Sequence, residues 1–364
     1  MMRIGVYGCR FYMYNDFTNR PILERMVPMR TRKRASLREI ARICNVSHTT
    51  VSRILNGSGN FSEETRRLVL DALAREGYLL DAPEQEGKRP ASTIIGCLVA
   101  DFTNEIFADR LTAIRRYLDE KGVKLCAFET RHDPVEEVAL AQQLYRMGAA
   151  GILVMSAGEG LKNVPQHIPL VYMDYTLEEL NDNETYCVSS DDLAGGRLAA
   201  QELLRKGCTK PLVLNIRYMQ YWRNRRIQAF LQEFQEHGIV IPKENILQPI
   251  PEKSSFDSAK DLITYQWIRR TDFDSVFGVS DWRAYGALVA LRNMGVRVPE
   301  EIKIVGYDGI RVSRYCDMPI TTIQQNTEML SRTACDMILN LVRGEPVEQH
   351  ESLIPIRLQD GKTT

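Results

Sequence analysis

From about residue 94 onward, short apolar runs alternate with stretches of about 10–15 residues that carry helical spacing. The runs lie at 94–100, 123–128, 151–155, 170–173, 211–216, 275–279 and 302–307. Each is too short to stand as a buried helix and is rich in aliphatic residues, which is how a strand covered on both faces reads. Parallel neighbours can be joined only by a crossover, and the intervening helices supply it, so the pattern predicts a parallel, doubly wound sheet. Roughly 270 residues of such alternation outgrow a single sheet and predict two lobes.

Ahead of this region the pattern changes. Residues 81–92 are a linker by composition, with two prolines, a glycine and no large apolar side chain. Residues 30–80 read as a separate small domain, helical over 36–78. Leu37, Ile40, Ala41 and Cys44 fall at i, i+3, i+4 and i+7, with Ser36 placed to cap the helix they define. Asn45 tolerates the left-handed backbone of a tight turn. Ser47 can then cap a second helix that buries Val51, Ile54 and Leu55 and stops at Asn56-Gly57-Ser58-Gly59. Ser62, followed by Glu63 and Glu64, opens a third helix whose expected inward residues are Leu68, Ala72 and Leu73. Residues 1–29 show neither period; they read as a disordered leader or an upstream misassigned start (Met26 and Met29 are further starts), with a functional arm as the alternative.

Charge is distributed unevenly. The chain has 47 Lys/Arg and 47 Asp/Glu, so no global field marks a nucleic-acid binder. Between residues 30 and 78, however, ten Lys/Arg face five acids. Two short helices around a tight turn, the second with a polar side, in a basic segment, predict a helix-turn-helix; a small bundle with a solvated face is the alternative.

Other classes find little support. The eight cysteines are scattered singly with no CxxC pair, and the five histidines do not cluster, so neither a metal site nor a disulfide framework is expected. A signal-peptide core and an apolar run of about 18 residues are both missing, which predicts a cytoplasmic protein without membrane partners. Neither a Ser/His/Asp set, a pair of catalytic carboxylates, a P-loop nor a GxGxxG turn stands out, so the expectation is a non-enzyme without cofactor.

The stretch LREIARICNVSHTTVSRILNGSGNFSEETRRLVLDALAREGY (37–78) closely resembles the headpiece of the LacI/GalR family of bacterial transcription regulators. SDWRAYGALVALRNMGVRVPEEIKIVGYDG (280–309) resembles a passage of that family's ligand-binding core, and MPITTIQQ (318–325) a passage near its C-terminus. The resemblance implies an all-α helix-turn-helix headpiece joined to an α/β core of two doubly wound lobes, similar to periplasmic sugar-binding proteins. The expected division of the core, 93–364, is lobe 1 at about 93–187 and 299–326 and lobe 2 at about 188–298 and 327–364.

By the same resemblance, His48 and Thr49 match the base-reading pair and Arg53 a further groove contact, while Ser47, Thr50 and Asn56 are placed for phosphates. Asp281 matches an acid that accepts from ligand hydroxyls, Arg226 an arginine that forks onto a ligand oxygen, Asp174 another cleft acid, and Phe107 a stacking aromatic; Trp222 is a looser match. Each has a plainer reading: Asp281 as a helix cap, Arg226 as one half of an ion pair, Phe107 as core. The implied protein is a homodimeric regulator, with repression the first reading, on near-palindromic double-stranded operator DNA under a small-molecule effector, a sugar or sugar derivative. A core answering to a protein partner or a nucleobase, and a periplasmic-type binding protein, are the alternatives. The expected dimer has no C-terminal coiled coil, since no leucine heptads follow the last expected strand, at 353–358. Two departures stand out. Where the family has Asn-x-x-Ala-Arg-x-Leu after the third helix, this chain has Asp81 to Gly87, with Pro83, Gln85 and Gly87, which disfavours a minor-groove wedge. The family's Asn-Pro before the stacking aromatic is Asn104-Glu105 here.

Overall fold

The computed structural model describes residues 36–55, 61–75, 94–156, 161, 168–180, 184–216 and 223–364. The leader, the linker with Pro83, Gln85 and Gly87, and the candidate residues Asn56 and Trp222 lie outside the described residues.

The headpiece contains α1 (Leu37–Ile43), α2 (His48–Leu55) and α3 (Glu63–Arg75). Ser36 and Glu39 form a reciprocal capping box that satisfies backbone donors at the start of α1. Asn45 turns the chain with a φ of 52°, and Ser47 Oγ accepts from Thr50 N–H at 3.0 Å to open α2. Val51 and Ile54 of α2 pack with Ile40, Ala41 and Cys44. On α3 the inward side chains are Val69, Leu70 and Leu73, with Ala72 partly buried. Leu68, expected to face inward, is 51% exposed. Leu68-Val69-Leu70 are consecutive, and one helical step of 100° decides which of them meets the core.

The core begins with β1 (Ile94–Val99), α4 (Glu105–Glu120), β2 (Lys124–Glu129), α5 (Pro134–Arg146), β3 (Gly151–Met155), β4 (Leu170–Met173), α6 (Leu177–Leu180) and β5 (Tyr186–Ser190). The chain then crosses into α7 (Asp192–Arg205), β6 (Pro211–Leu214), α8 (Arg225–Glu236), β7 (Ile246–Leu247), α9 (Ser255–Ile268), β8 (Ser275–Gly278), α10 (Asp281–Asn293), β9 (Lys303–Asp308), α11 (Arg311–Tyr315) and β10 (Thr321–Gln324). It ends with α12 (Thr327–Arg343), β11 (Glu351–Ile354) and β12 (Arg357–Gln359).

Two six-stranded sheets result, ordered β11-β5-β4-β3-β1-β2 and β12-β10-β9-β8-β6-β7. All their pairings are parallel except β10 with β12. Two doubly wound lobes are therefore present, but their boundaries correct the expected ones. Segment 299–326, assigned to lobe 1, carries β9 and β10, which pair beside β8 in lobe 2. Segment 327–354, assigned to lobe 2, carries α12 and β11 in lobe 1. Leu330, Ala334 and Ile338 of α12 share a core with Ile95, Leu153 and Val171, and β11 pairs with β5. The single strand expected at 353–358 is likewise two strands in different lobes, parted at Pro355-Ile356. The chain thus passes between lobes three times, near 191, 325 and 355, and these passages bound the interlobe space.

Candidate DNA-reading helix and interlobe site

On α2 the period of 3.6 separates two jobs. Val51 and Ile54 are buried, whereas His48, Thr49 and Arg53 project from the opposite arc and are exposed. Ser47 and Thr50, expected at phosphates, join their hydroxyls at 2.8 Å at the helix start. The N-terminal end of α2, at the positive end of the helix dipole, is itself suited to a phosphate.

Between the lobes lies a cavity of about 640 Å³, lined from lobe 1 by Ile106 and Asp109, from lobe 2 by Asp308, Ile310 and Arg311, and by Gln325 of the interlobe passage. Beside it runs a ladder of charged and polar groups. Arg226, at the start of α8, donates to Asp192 Oδ2 at 3.1 Å, to Asp308 Oδ1 at 3.3 Å and to the Val279 carbonyl at 2.9 Å. Its guanidinium lies 3.9 Å from the Tyr307 ring centroid, and the Tyr307 hydroxyl donates to Asp192 at 2.7 Å. Gln325 Nε2 donates to Asp308 at 2.7 Å, and its Oε1 accepts from Ser190 and from Arg110, each at 2.7 Å. Arg110 also forms an ion pair with Asp174.

Local structure sets these positions. Gly195 and Gly196 open α7 to close approach: a Cβ on the first would overlap the Tyr307 hydroxyl and on the second the Arg226 carbonyl. Asp174 and Asp308 stand at strand ends with φ of 67° and 108°, a backbone conformation that L side chains rarely adopt and that clusters at binding sites. Burial opposes the Arg226 charge, yet Asp192, Tyr307 and Asp308 together hold its pKa above the ordinary arginine value. Burial raises the Asp308 carboxyl, and the neighbouring Arg226 offsets part of that rise.

Of the effector residues expected from sequence, Asp174 and Arg226 meet this ladder, and Arg226 is indeed paired with acids. Asp281 does not reach the cavity. It is 0% exposed, with one carboxylate oxygen accepting from Ile310 N–H at 2.8 Å and the other from the Thr322 hydroxyl. It therefore holds the cavity-lining loop from beneath, and burial, then Asp308, push its pKa well above the aspartate range. Phe107 packs on the lobe 1 core with Leu111 instead of lining the cavity, because Ile106 and Asp109 occupy the arc of α4 that faces it. Sequence reasoning missed Arg110, Asp192, Ser190, Asp308 and Gln325. Arg110 had a signal: with Ile106, Ala113 and Ile114 it falls at i, i+4, i+7 and i+8 on the buried face of α4.

A helix-turn-helix unit carried by a two-lobed, periplasmic-binding-protein-like core defines a class of bacterial DNA-binding regulator. Residues 36–80 match the family described as bacterial regulatory proteins, lacI family, and residues 200–364 match the periplasmic binding protein-like domain. The HTH-type transcriptional repressor PurR of Shigella dysenteriae serotype 1 (strain Sd197) is 30% identical over 338 residues, which cover 90% of this chain and 98% of the repressor. PurR of Klebsiella pneumoniae (strain 342) is 29% identical over the same shares. The chain belongs to the lacI family. Among solved structures, the transcriptional regulator CelR in complex with cellobiose superposes with a TM-score of 0.69 at 23% identity, over 91% of this chain and 100% of CelR. The lac repressor dimer bound to operator and the anti-inducer ONPF gives 0.66 at 22%, over 91% and 99%. These two likenesses establish the shared fold.

Proposed function

We propose that this protein is a homodimeric, sequence-specific repressor that reads operator half-sites through α2 and is controlled by a small carbohydrate or sugar derivative held between the lobes. The observation that carries the DNA-reading half is the split of α2 into a buried aliphatic side and an exposed side bearing His48, Thr49 and Arg53. Arg53 can fork onto a guanine edge, His48 and Thr49 make less selective base contacts, and Ser47, Thr50 and Asn56 fix the helix on phosphates. For the effector half, Asp174 and Arg226, with Asp192, Asp308 and Gln325 beside them, supply charged acceptors and a forked donor of the kind that orients hydroxyl-rich ligands. Neighbours of the same fold complexed with cellobiose and with D-xylulofuranose support that class. Trp222 remains the proposed stacking contact, whereas Phe107 is given to the lobe 1 core. Asp281 acts beneath the site, positioning the loop at Ile310.

The DNA-reading half is tested by gel shift on genomic fragments retained by the purified protein: wild type retards them, and the double variant His48→Ala, Arg53→Ala does not while keeping its unfolding temperature. Equal retardation would remove α2 as the reader. A thermal-shift screen against sugars, sugar phosphates and nucleobases tests the effector half, since a ligand bound only by the folded state raises its apparent stability. A response to nucleobases alone would replace the carbohydrate class.

A further inference from the structure

Arg110 is an arginine in the middle of a helix, 1% exposed, with its charge aimed between two lobes. Such a group is costly to bury unless partners surround it. It has them on both sides: Asp174 at the end of β4 in lobe 1, and Gln325 at an interlobe passage, which passes the contact on to Asp308 in lobe 2. Arg226 and Asp192 stand close enough to act on it electrostatically. The polar groups proposed for the effector are therefore already engaged by the chain: Asp174 by Arg110, Asp308 by Gln325 and Arg226, and Arg226 by Asp192. One donor, Arg110 Nε, is buried without an acceptor among the described residues, so the fit is incomplete and can be exchanged for a better one.

Resting on the reading of the interlobe space as the effector site, we propose that the Arg110 side chain is a tethered occupant of that site. Its guanidinium stands where a ligand's donors would stand, bridges the lobes without any ligand, and must be displaced from Asp174 and Gln325 by the donors of an effector. Around it, Arg311 of lobe 2 meets Asp109 of lobe 1 at 2.6 Å and Glu105 at 3.0 Å, and Arg225 of lobe 2 meets Glu178 of lobe 1 at 2.7 Å. These exposed pairs assist the same juxtaposition but are open to salt, whereas the Arg110 contacts are shielded from it.

The test is chemical rescue, read by hydrogen exchange on the full-length protein without effector. In wild type, amides of α4 and of 325–328 exchange slowly, and low-millimolar guanidinium chloride changes nothing. Arg110→Ala should speed exchange there by roughly tenfold or more, and guanidinium at that concentration, but not sodium chloride, should restore protection. Arg110→Met keeps the aliphatic stem and leaves no room for the ion, so it should open the lobes without rescue. Wild-type protection in either variant, or an opened Arg110→Ala protein indifferent to guanidinium, overturns the proposal; if Arg110→Ala does not fold, wild-type protection in Arg110→Met still does so. A thermal-shift screen of wild type and Arg110→Ala separates the two readings. Rescue by guanidinium with no effector response in either protein would remove the effector reading and leave Arg110 a bridge.

Discussion

Asp281 shows how one buried carboxyl ties pH to stability. Its pKa is raised well above the ordinary value, first by burial and then by the Asp308 charge, while Thr322 and Ile310 hydrogen bonds work the other way. A folded-state value above the unfolded one gives a stabilising contribution that is complete below the ordinary aspartate pKa. That contribution is lost as pH rises through the folded value. Asp281→Asn can still accept from Ile310 N–H and donate to the Thr322 hydroxyl, but has no charge to bury. The melting temperature of the variant relative to wild type should therefore climb as pH rises from about 4 to 8; an offset independent of pH would contradict the assignment. On α2, His48→Ala and Arg53→Ala each remove an exposed side chain, so folding should be unchanged while operator affinity falls by about 1–3 kcal/mol apiece, measured by fluorescence anisotropy at fixed salt.

Among the elements, α3 offers the clearest contrast. Leu73 is fully buried and Leu68 half exposed, so Leu73→Ala should cost the headpiece about 2–5 kcal/mol, and Leu68→Ala should stay within about 0.5 kcal/mol. Hydrogen exchange of α1 to α3 reads both, and equal effects would mean that α3 is rotated. The α1 to α2 turn was legible because Asn45 is one of few residues suited to a φ of 52°. Helix α3 was less so, since three consecutive aliphatic residues leave its phase open. Strand β5, YCVSS, and β10, TTIQ, carry too few aliphatic residues to stand out as buried strands, and β7 has only two residues. Their hydroxyls are instead used inside: Ser190 reaches Gln325 and Thr322 reaches Asp281.

At the scale of the molecule, the alternation of strands and helices made both lobes legible, and the resemblance at 37–78, 280–309 and 318–325 made their kind legible. The lobe boundaries were not, because an apolar strand such as β9 fits either sheet, and only pairing with β8 decides. The interlobe ladder was half legible for the same reason: Asp174 and Arg226 sit in recognisable motifs, but Arg110 and Gln325 acquire their role only when the lobes face each other. Surface pairs between the lobes should count for little, about 0–1 kcal/mol each. Arg311→Ala is thus expected to move the melting temperature only slightly, and less still at high salt; a large, salt-independent loss would mean that Arg311 is doing more than bridging α4.

In the proposed homodimer, two copies of α2 related by a two-fold axis would each read one half-site. Selection of duplexes from a random library by the purified full-length protein reads this arrangement out. The expected result is enrichment of a near-palindrome with two half-sites, lost in the His48→Ala, Arg53→Ala protein. Enrichment of a single unrepeated element, or of none, would contradict it.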